Sequence, residues 1–338
     1  IVKKKSKNYL VYGKGLASLS AKKNLVLNFG NSGTLARLLI GILSTTPKIE
    51  VKIKGDRSLN KRNMKKLIEL MSKYGAFFFP KNKTTLPLKL VSSEMPIGIR
   101  YLAENSAQLK SAVIFAGLNS YGITQIEEKK KSRDHTENML AHNSQAIKIS
   151  NKKNKKIKVF GRKHLNPIDV EIPGDPSSAA FFSALTLLNK NSTLKIKNVG
   201  LNATRVGFYK LLKKHGAKIL FTNLKKNKFD IKGDILVKSS KVRPIKASEK
   251  YYVNATDEYP IMFVIAALLK GVSIFRGIGE LSNKESNRIK EMQKILKQVG
   301  VKSIATKNEL KIFGKGMLDA TNKKIYVSNL GDHRICMS

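Results

Sequence analysis

The chain has 338 residues, 41% of them hydrophobic, with a formal net charge of +42 and a single cysteine. Such a length allows more than one buried core and predicts two domains, and the hydrophobic share excludes general disorder. The longest apolar run, Ile261 to Leu269, is far short of the roughly 20 residues that a membrane-spanning helix needs.

The lone Cys336 rules out an internal disulfide and fits a reducing, cytoplasmic setting; no secretory apolar region follows the basic N-terminus. The sequence opens on Ile1 rather than methionine and closes inside what reads as a helix start, which predicts a piece of a longer protein. The lysine surplus has two readings. Clustered lysines neutralise nucleic-acid phosphates, whereas lysines spread over solvated faces attract small anions. Here Lys65, Lys66, Lys73, Lys213, Lys214, Lys294 and Lys297 are dispersed on polar helix faces, and the run from Lys152 to Lys158 sits beside asparagines in expected hairpin loops. With no tryptophan and no aromatic-interleaved basic stripe, the expectation is a protein that binds small anions, with no nucleic acid and no membrane partner; a monomer is expected as well.

Taken from its start, the chain repeats itself. Asn31 to Phe79 runs from N-S-G-T through an apolar segment (Leu35 to Leu43), a strand (Ile49 to Ile53), G-D-R-S-L-N-K-R and an amphipathic segment to Y-G-A and a further strand. Ser106 to Ile149 follows the same order, as do Asp175 to Phe221 and Asp257 to Ile304, and Gly331 to Arg334 opens a fifth copy. The starts recur roughly every 70–80 residues. Within a copy the first segment is almost wholly apolar and reads as a buried helix. The second, as in Met64, Leu67, Ile68 and Met71, has the spacing of an amphipathic helix. Gly75, Gly216 and Gly300 mark helix stops before the next strand. Alternating strands and helices predict an α/β fold with helices packed on sheets. Extra strands are expected between copies at Leu86 to Val91, Ile157 to Phe160, Phe229 to Ile231 and Leu310 to Phe313. Pro173-Gly174, after an expected strand at Ile168 to Ile172, divides the chain into lobes of residues 1–172 and 173–338.

The buried helices begin with small polar residues, Asn31 to Thr34, Asn105-Ser106, Asp175 to Ser178, Thr256-Asp257 and Asp332, which read first as caps for free N–H groups. Several such N-termini around one cleft would also hold an anion. Arg37, one turn into its helix, reads as a brace; Arg62, Arg133, Arg288 and Arg334 stand at corners, where a planar fork suits phosphate and carboxylate. Asp257 falls at a helix start, and Lys284, Glu285 and Arg288 in a charged turn one strand later. Two carboxylates beside two cations suit proton transfer on an anionic substrate. No His or Cys spacing suggests a metal ligand set.

In order along the chain stand N-S-G-T-L-A-R-L, G-D-R-S-L-N-K-R, S-A-Q-L-K-S-A, S-R-D-H-T-E-N-M-L, P-G-D-P-S-S-A-A, D-E-Y-P, K-E-S-N-R and G-D-H-R-I. Together they resemble the 5-enolpyruvylshikimate-3-phosphate synthase family over nearly the whole chain. The resemblance implies a two-lobed inside-out α/β barrel built from repeated βαβαββ units, two in the first lobe and two plus the start of a third in the second. It implies transfer of the enolpyruvyl group from phosphoenolpyruvate to the 5-hydroxyl of shikimate 3-phosphate, releasing phosphate, in the shikimate pathway to aromatic amino acids, without metal or cofactor. By motif matching, Asp257 is the acid/base carboxylate near the 5-hydroxyl and Glu285 the carboxylate tied to proton traffic at the methylene carbon. Ser106, Ala107, Gln108, Ser132, Arg133, Asp257 and Lys284 are implied to hold shikimate 3-phosphate, and Gly33, Arg62, Gln108, Arg288 and Arg334 phosphoenolpyruvate. His333 is a proton relay or a helix-start brace, His135 is structural or stands just behind the site, and Glu258 fits the acid position less well than Asp257.

Some positions depart from the family pattern. Its N-terminal G-D-K-S motif and its C-terminal phosphate-binding lysine have no match here, so these 338 residues alone are expected to turn over slowly. Asn63 stands for the usual Pro, Asn287 for Asp, and Ser282-Asn283 for R-V. The UDP-N-acetylglucosamine enolpyruvyl transferases share fold and donor but present a loop cysteine in the first lobe, which this chain lacks. The family's inhibitor glyphosate shares the phosphoenolpyruvate pocket, and Gly33 at that position implies sensitivity. A different class, a basic binding protein without catalysis, would be separated by titration with shikimate 3-phosphate against a nucleic-acid oligomer.

Overall fold

Before each buried helix runs a short strand, or a single bridge, that the sequence reading did not find. The computed structural model describes residues 2–151, 154–226, 229–318, 324–328 and 331–338. Its chain divides into two compact units, 1–130 with 136–169, and 131–135 with 170–338. The sequence placed one boundary at 172/173; the segment 131–135 instead joins the second unit although its neighbours on both sides belong to the first.

The first unit opens with a hairpin of β1 (Val2–Lys5) and β2 (Asn8–Val11). There follow β3 (Val26–Asn28), α1 (Gly33–Ser44), β4 (Glu50–Lys54), the single turn α2 (Arg57–Asn60), α3 (Lys65–Lys73), β5 (Phe77–Phe79) and β6 (Leu88–Val91). They form a sheet of order β3-β4-β6-β5 in which only β3 and β4 are parallel. A second set, β7 (Arg100–Ala103), α4 (Ala107–Asn119), β8 (Ile123–Glu128), α5 (His135–Leu140), β9 (Ile147–Ser150) and β10 (Lys155–Phe160), gives β7-β8-β10-β9 with the same sense of pairing.

In the second unit come α6 (Pro176–Leu188), β11 (Thr193–Gly200), α7 (Gly207–Lys214), β12 (Lys218–Lys226) and β13 (Ile231–Lys238), with order β11-β13-β12. Here the leading strand is reduced to a parallel bridge between Gly174 and Val199. Next are β14 (Lys246–Ala247), α8 (Tyr252–Ala255), α9 (Tyr259–Ala267), β15 (Gly271–Arg276), α10 (Arg288–Gln298), β16 (Ser303–Ala305) and β17 (Glu309–Gly314), with order β14-β15-β17-β16, and then α11 (His333–Cys336). The βαβαββ pattern therefore recurs four times among the described residues. Of the strands expected between copies, those at Leu86 to Val91, Ile157 to Phe160 and Leu310 to Phe313 fall on the last strands within them, whereas the one expected at Phe229 to Ile231 meets β13 only at Ile231. The stretch Ile168 to Ile172 forms no strand; Pro167 and Pro173 bracket it, and proline cannot donate to a ladder.

Sequence pattern and burial agree element by element. In α3, Leu67, Leu70 and Met71 are buried while Lys65, Lys66 and Lys73 are exposed. Gly75, Gly216 and Gly300 take φ of 94°, 105° and 75°, the left-handed conformation that ends a helix without a Cβ clash. Gly41 of α1 faces α4 so closely that a Cβ would sit 2.6 Å from the Ala112 carbonyl oxygen. The reading of the first helix of each copy as buried needs correction for α6, whose Phe182 and Leu185 are 60% and 62% exposed. Lys152 and Lys153 lie outside the described residues, and Lys155 to Lys158 are in β10, not in a loop.

Each unit has its own core. Ile40, Val51, Ile53, Leu90, Val113 and Ile157 belong to the first; Ala180, Leu212, Ile235, Tyr259, Phe263 and Phe275 to the second. Inside the first unit, Lys110 of α4 is fully buried and lies 2.9 Å from Glu128 of β8 and 2.7 Å from Glu137 of α5. Glu137 also lies 2.9 Å from Lys155 of β10. No helix among the described residues is long and apolar enough to cross a membrane.

Candidate active site

Most of the candidate polar residues gather in one cluster in each unit. In the second unit the centre is Asp257, in the turn between α8 and α9. The Thr256 hydroxyl folds back to the Tyr252 carbonyl at 2.7 Å and the Glu258 amide to the Ala255 carbonyl at 3.1 Å. This turn sends the Asp257 carboxylate outward rather than onto a helix end. The cap expected at Thr256-Asp257 is absent: α9 has no side-chain cap hydrogen bond. Arg133 Nη2 donates to Asp257 Oδ2 at 2.6 Å, and Arg288 Nη1 is 3.5 Å from Oδ1. Burial pushes the Asp257 carboxyl up, but Arg133, then Arg288 and Arg334, hold it well below the usual carboxylate range. Asp257 is therefore an anion at neutral pH, and its side chain keeps 23% exposure.

Arg288 opens α10, whose cap is Asn287, accepting from the Lys290 amide at 3.1 Å. Asparagine and aspartate cap alike, so this departure from the family pattern is neutral for the helix. The Arg288 side chain is 2% exposed. Its Nε donates to Asp332 Oδ2 at 3.0 Å and its Nη2 to Glu285 Oε2 at 2.6 Å, while Nη1 has no hydrogen-bond partner among the described residues. Asp332 has two tasks: it caps α11 through the Arg334 amide at 3.1 Å and accepts from Ser286 Oγ at 2.8 Å as well as from Arg288. Burial raises its carboxyl, and Arg288 and Ser286 more than reverse that. Arg334 reaches to 3.8 Å from Asp175 Oδ2 and lies 5.9 Å from the Phe181 ring centre. Burial lowers the Lys284 ammonium, partly offset by Asp257 and Glu285 and reinforced by Arg288. Ser132 is buried beside Arg133 in the chain.

The first unit assembles a smaller cluster at the start of α1. Ser32 caps this helix, accepting from the Leu35 amide at 3.1 Å, and Gly33 follows at its first position. Arg37 Nη1 donates to the Gly33 carbonyl at 3.2 Å and to Gln108 Oε1 at 2.9 Å, and Gln108 Nε2 donates to Thr34 at 2.8 Å. Arg62 Nη2 donates to Asn31 Oδ1 at 2.9 Å. A Cβ on Gly33 would stand 2.6 Å from Arg62 Nη1 and 2.8 Å from Arg37 Nη1. Two guanidinium groups thus lie against a backbone that only glycine leaves open. Ser106 caps α4 through the Leu109 amide at 3.3 Å, with Ala107 as the first helical residue. Asn63 Oδ1 accepts from the Lys65 amide at 2.7 Å, which accounts for a polar residue where the family has Pro.

Some roles differ from the sequence reading. Arg37, read as a brace, does brace, tying Gly33 to Gln108, and it does so inside the cluster; the i, i+4 step from Gly33 was the available signal. Asp332, read as a cap, is also the main counter-ion of Arg288. His135 Nε2 is 3.4 Å from Asp230 Oδ2, and His333 is the exposed first residue of α11. Among the described residues no group of His, Cys, Asp and Glu could hold a metal ion.

Similarity to known proteins extends over the whole chain. The family model described as EPSP synthase (3-phosphoshikimate 1-carboxyvinyltransferase) matches residues 1–338. A 3-phosphoshikimate 1-carboxyvinyltransferase of Caldicellulosiruptor bescii is 39% identical over 331 residues, 97% of this chain and 75% of that protein. That of Bacillus subtilis is 35% identical over 337 residues, 99% of this chain and 77% of its own. The solved EPSP synthase of Acinetobacter baumannii superposes with a TM-score of 0.79 at 32% identity, covering 100% of this chain and 76% of that one.

Proposed function

The chain belongs to the EPSP synthase family, and on that premise we propose that it transfers the enolpyruvyl group of phosphoenolpyruvate to the 5-hydroxyl of shikimate 3-phosphate and releases phosphate. The observation that carries the proposal is the Arg133–Asp257–Arg288 ion cluster, a carboxylate kept anionic between two guanidinium groups and still open to solvent. Unliganded, Asp257 is too weak a base for an alcohol. A phosphate that takes over Arg133 removes one of its two nearest cations and raises its basicity at the moment substrate binds. Asp257 then draws the proton from the 5-hydroxyl, whose oxygen forms the new C–O bond as the methylene carbon gains a proton. Glu285, fixed 2.6 Å from Arg288 Nη2, handles that second proton. Collapse of the tetrahedral adduct breaks the C–O bond to phosphate while the methyl carbon gives a proton back to Glu285, which restores the C=C bond of the enolpyruvyl group. Arginine and lysine stabilise the charge on the departing group.

In this reading Ser106, Ala107, Gln108, Ser132, Arg133, Asp257 and Lys284 hold shikimate 3-phosphate. Gly33, Arg62, Gln108, Arg288 and Arg334 hold phosphoenolpyruvate; Nη1 of Arg288, which makes no hydrogen bond among the described residues, supports this for one of them. The chain acts as a cytoplasmic monomer without a cofactor, so sedimentation should give one 37.7 kDa mass.

The test is calorimetric titration at moderate salt. Shikimate 3-phosphate should bind saturably, and Arg133→Ala should weaken it about tenfold or more. Tight, salt-resistant binding of an oligonucleotide with no response to shikimate 3-phosphate would favour the basic binding protein instead. In single-turnover assays, Asp257→Ala and Glu285→Ala should each slow the chemical step by about 10²–10⁴-fold. Arg288→Ala should mainly raise the phosphoenolpyruvate concentration needed for saturation; unchanged saturation removes Arg288 from that role.

A further inference from the structure

Glu258 follows Asp257 in the chain, yet its surroundings are opposite. It is 1% exposed and, although it stands at the start of α9, it caps nothing. The hydroxyl of Ser177, in the first turn of α6, donates to Glu258 Oε1. Ser177 Oγ in turn accepts from Arg205 Nη2 at 2.9 Å, and the same nitrogen donates to Asp175 Oδ1 at 2.7 Å. The other oxygen of Asp175 faces Arg334 Nη2 at 3.8 Å. A run of side chains therefore leads from the buried carboxyl to an arginine at the candidate site, wholly within the second unit.

The charged and titratable groups around Glu258 come from six places in the fold. They are Asp257 in its own turn, Arg133 on segment 131–135, Arg205 before α7, Asp175 at the start of α6, and the tyrosines Tyr209 of α7 and Tyr259 of α9. Burial first, and then the Asp257 charge, push the Glu258 carboxyl up to about 7, against the pull of Ser177, Arg133 and Arg205. A neutral Glu258 leaves Arg133 to Asp257 and Arg205 to Asp175. An ionised one competes for both.

We propose that Glu258, in its uncharged form, is a positioning residue that through Ser177 and Arg205 holds Asp175 against Arg334, and that its ionisation loosens the site's hold on the anionic donor. This rests on the reading of Arg133 and Arg334 as ligand groups. The proton stays on the Glu258 carboxyl in the binding-competent state and leaves to solvent above it; no bond to substrate is involved.

The experiment compares the full chain with Glu258→Gln and Glu258→Ala, titrated with phosphoenolpyruvate at about pH 6 and about pH 8, on either side of the Glu258 titration. The ratio of the wild-type Kd to the Glu258→Gln Kd cancels the ligand's own titration. It should be near one at the lower pH and rise about tenfold at the higher. Glu258→Ala, which loses the Ser177 contact, should bind weakly at both. A ratio that does not move overturns the proposal and leaves the site reading intact. A wild-type protein that takes up no phosphoenolpyruvate at either pH overturns the site reading, and this proposal with it. A ligand-free readout serves where the glutamine variant does not fold. The folded chain holds the Glu258 proton above the ordinary carboxyl value of 4.5, so wild-type stability should fall as pH rises from 4.5 to about 7 and then level off. A wild-type profile without that fall also overturns the proposal.

Discussion

Gly33 is where a single methyl group should have the clearest effect. An alanine Cβ would press on the ends of two flexible side chains, Arg62 and Arg37, and on no backbone. The fold can absorb that, but the two guanidinium groups cannot keep their places. Gly33→Ala should leave the unfolding midpoint nearly unchanged and weaken both phosphoenolpyruvate and glyphosate about tenfold; equal affinities for wild type and variant would remove Gly33 from the site. At this scale the sequence was a good guide to residue types and a poor one to partners. The arginines at 62, 133, 288 and 334 were legible because each sits in a short motif. That Arg133 pairs with Asp257, 124 positions away, was not, since no local pattern encodes a contact at that separation. Asp257 misled for a related reason: an acid before an apolar run reads as a cap, and only the backbone turn at Thr256 to Glu258 shows that it is not.

At the scale of elements, the buried ion group of α4, β8, α5 and β10 is the feature the pattern hid. Lys110 falls in an apolar helix, where a lysine would ordinarily face water. It is fully buried because Glu128 and Glu137 meet it, and Glu137 also meets Lys155. Glu128 and Glu137 lie on either side of segment 131–135, so the group fixes the chain at both ends of the stretch carrying Ser132 and Arg133. Glu137→Ala removes a carboxylate shared by Lys110 and Lys155, and should cost about 3–5 kcal/mol in urea or thermal unfolding. A cost below about 0.5 kcal/mol would mean that water reaches the group and that it anchors nothing. The βαβαββ repeat itself was legible from its helices, because two contrasting hydrophobic patterns alternate at a regular interval. Its leading strands were not: β3, β7 and β14 have three, four and two residues, too short for alternation to show.

For the whole molecule the dominant fact is charge. A surplus of +42 makes the folded chain repel itself, and screening shortens that repulsion to about 10 Å at 0.1 M salt. The unfolding midpoint should therefore rise with sodium chloride; a fall would show that local ion pairs, not the overall field, govern stability. Acid acts through other groups. Asp175, Asp257 and Asp332 stand beside Arg205, Arg133 and Arg288 respectively, and each is held below the ordinary value of 3.8. Their contribution is present above that value and is lost as pH falls below it. Together with Glu258, this predicts a stability maximum between the two ranges, near the 4.5 at which an unfolded Glu258 would titrate.

The central claim is that Asp257 and its arginines carry enolpyruvyl transfer. The direct measurement is ³¹P NMR of phosphoenolpyruvate and shikimate 3-phosphate with the protein in stoichiometric amount, so that slow turnover registers. Inorganic phosphate and one new phosphomonoester resonance should grow together, only when both substrates are present, and should vanish with Asp257→Ala. Phosphate released from phosphoenolpyruvate alone, or two substrate signals untouched by the protein, would contradict the account.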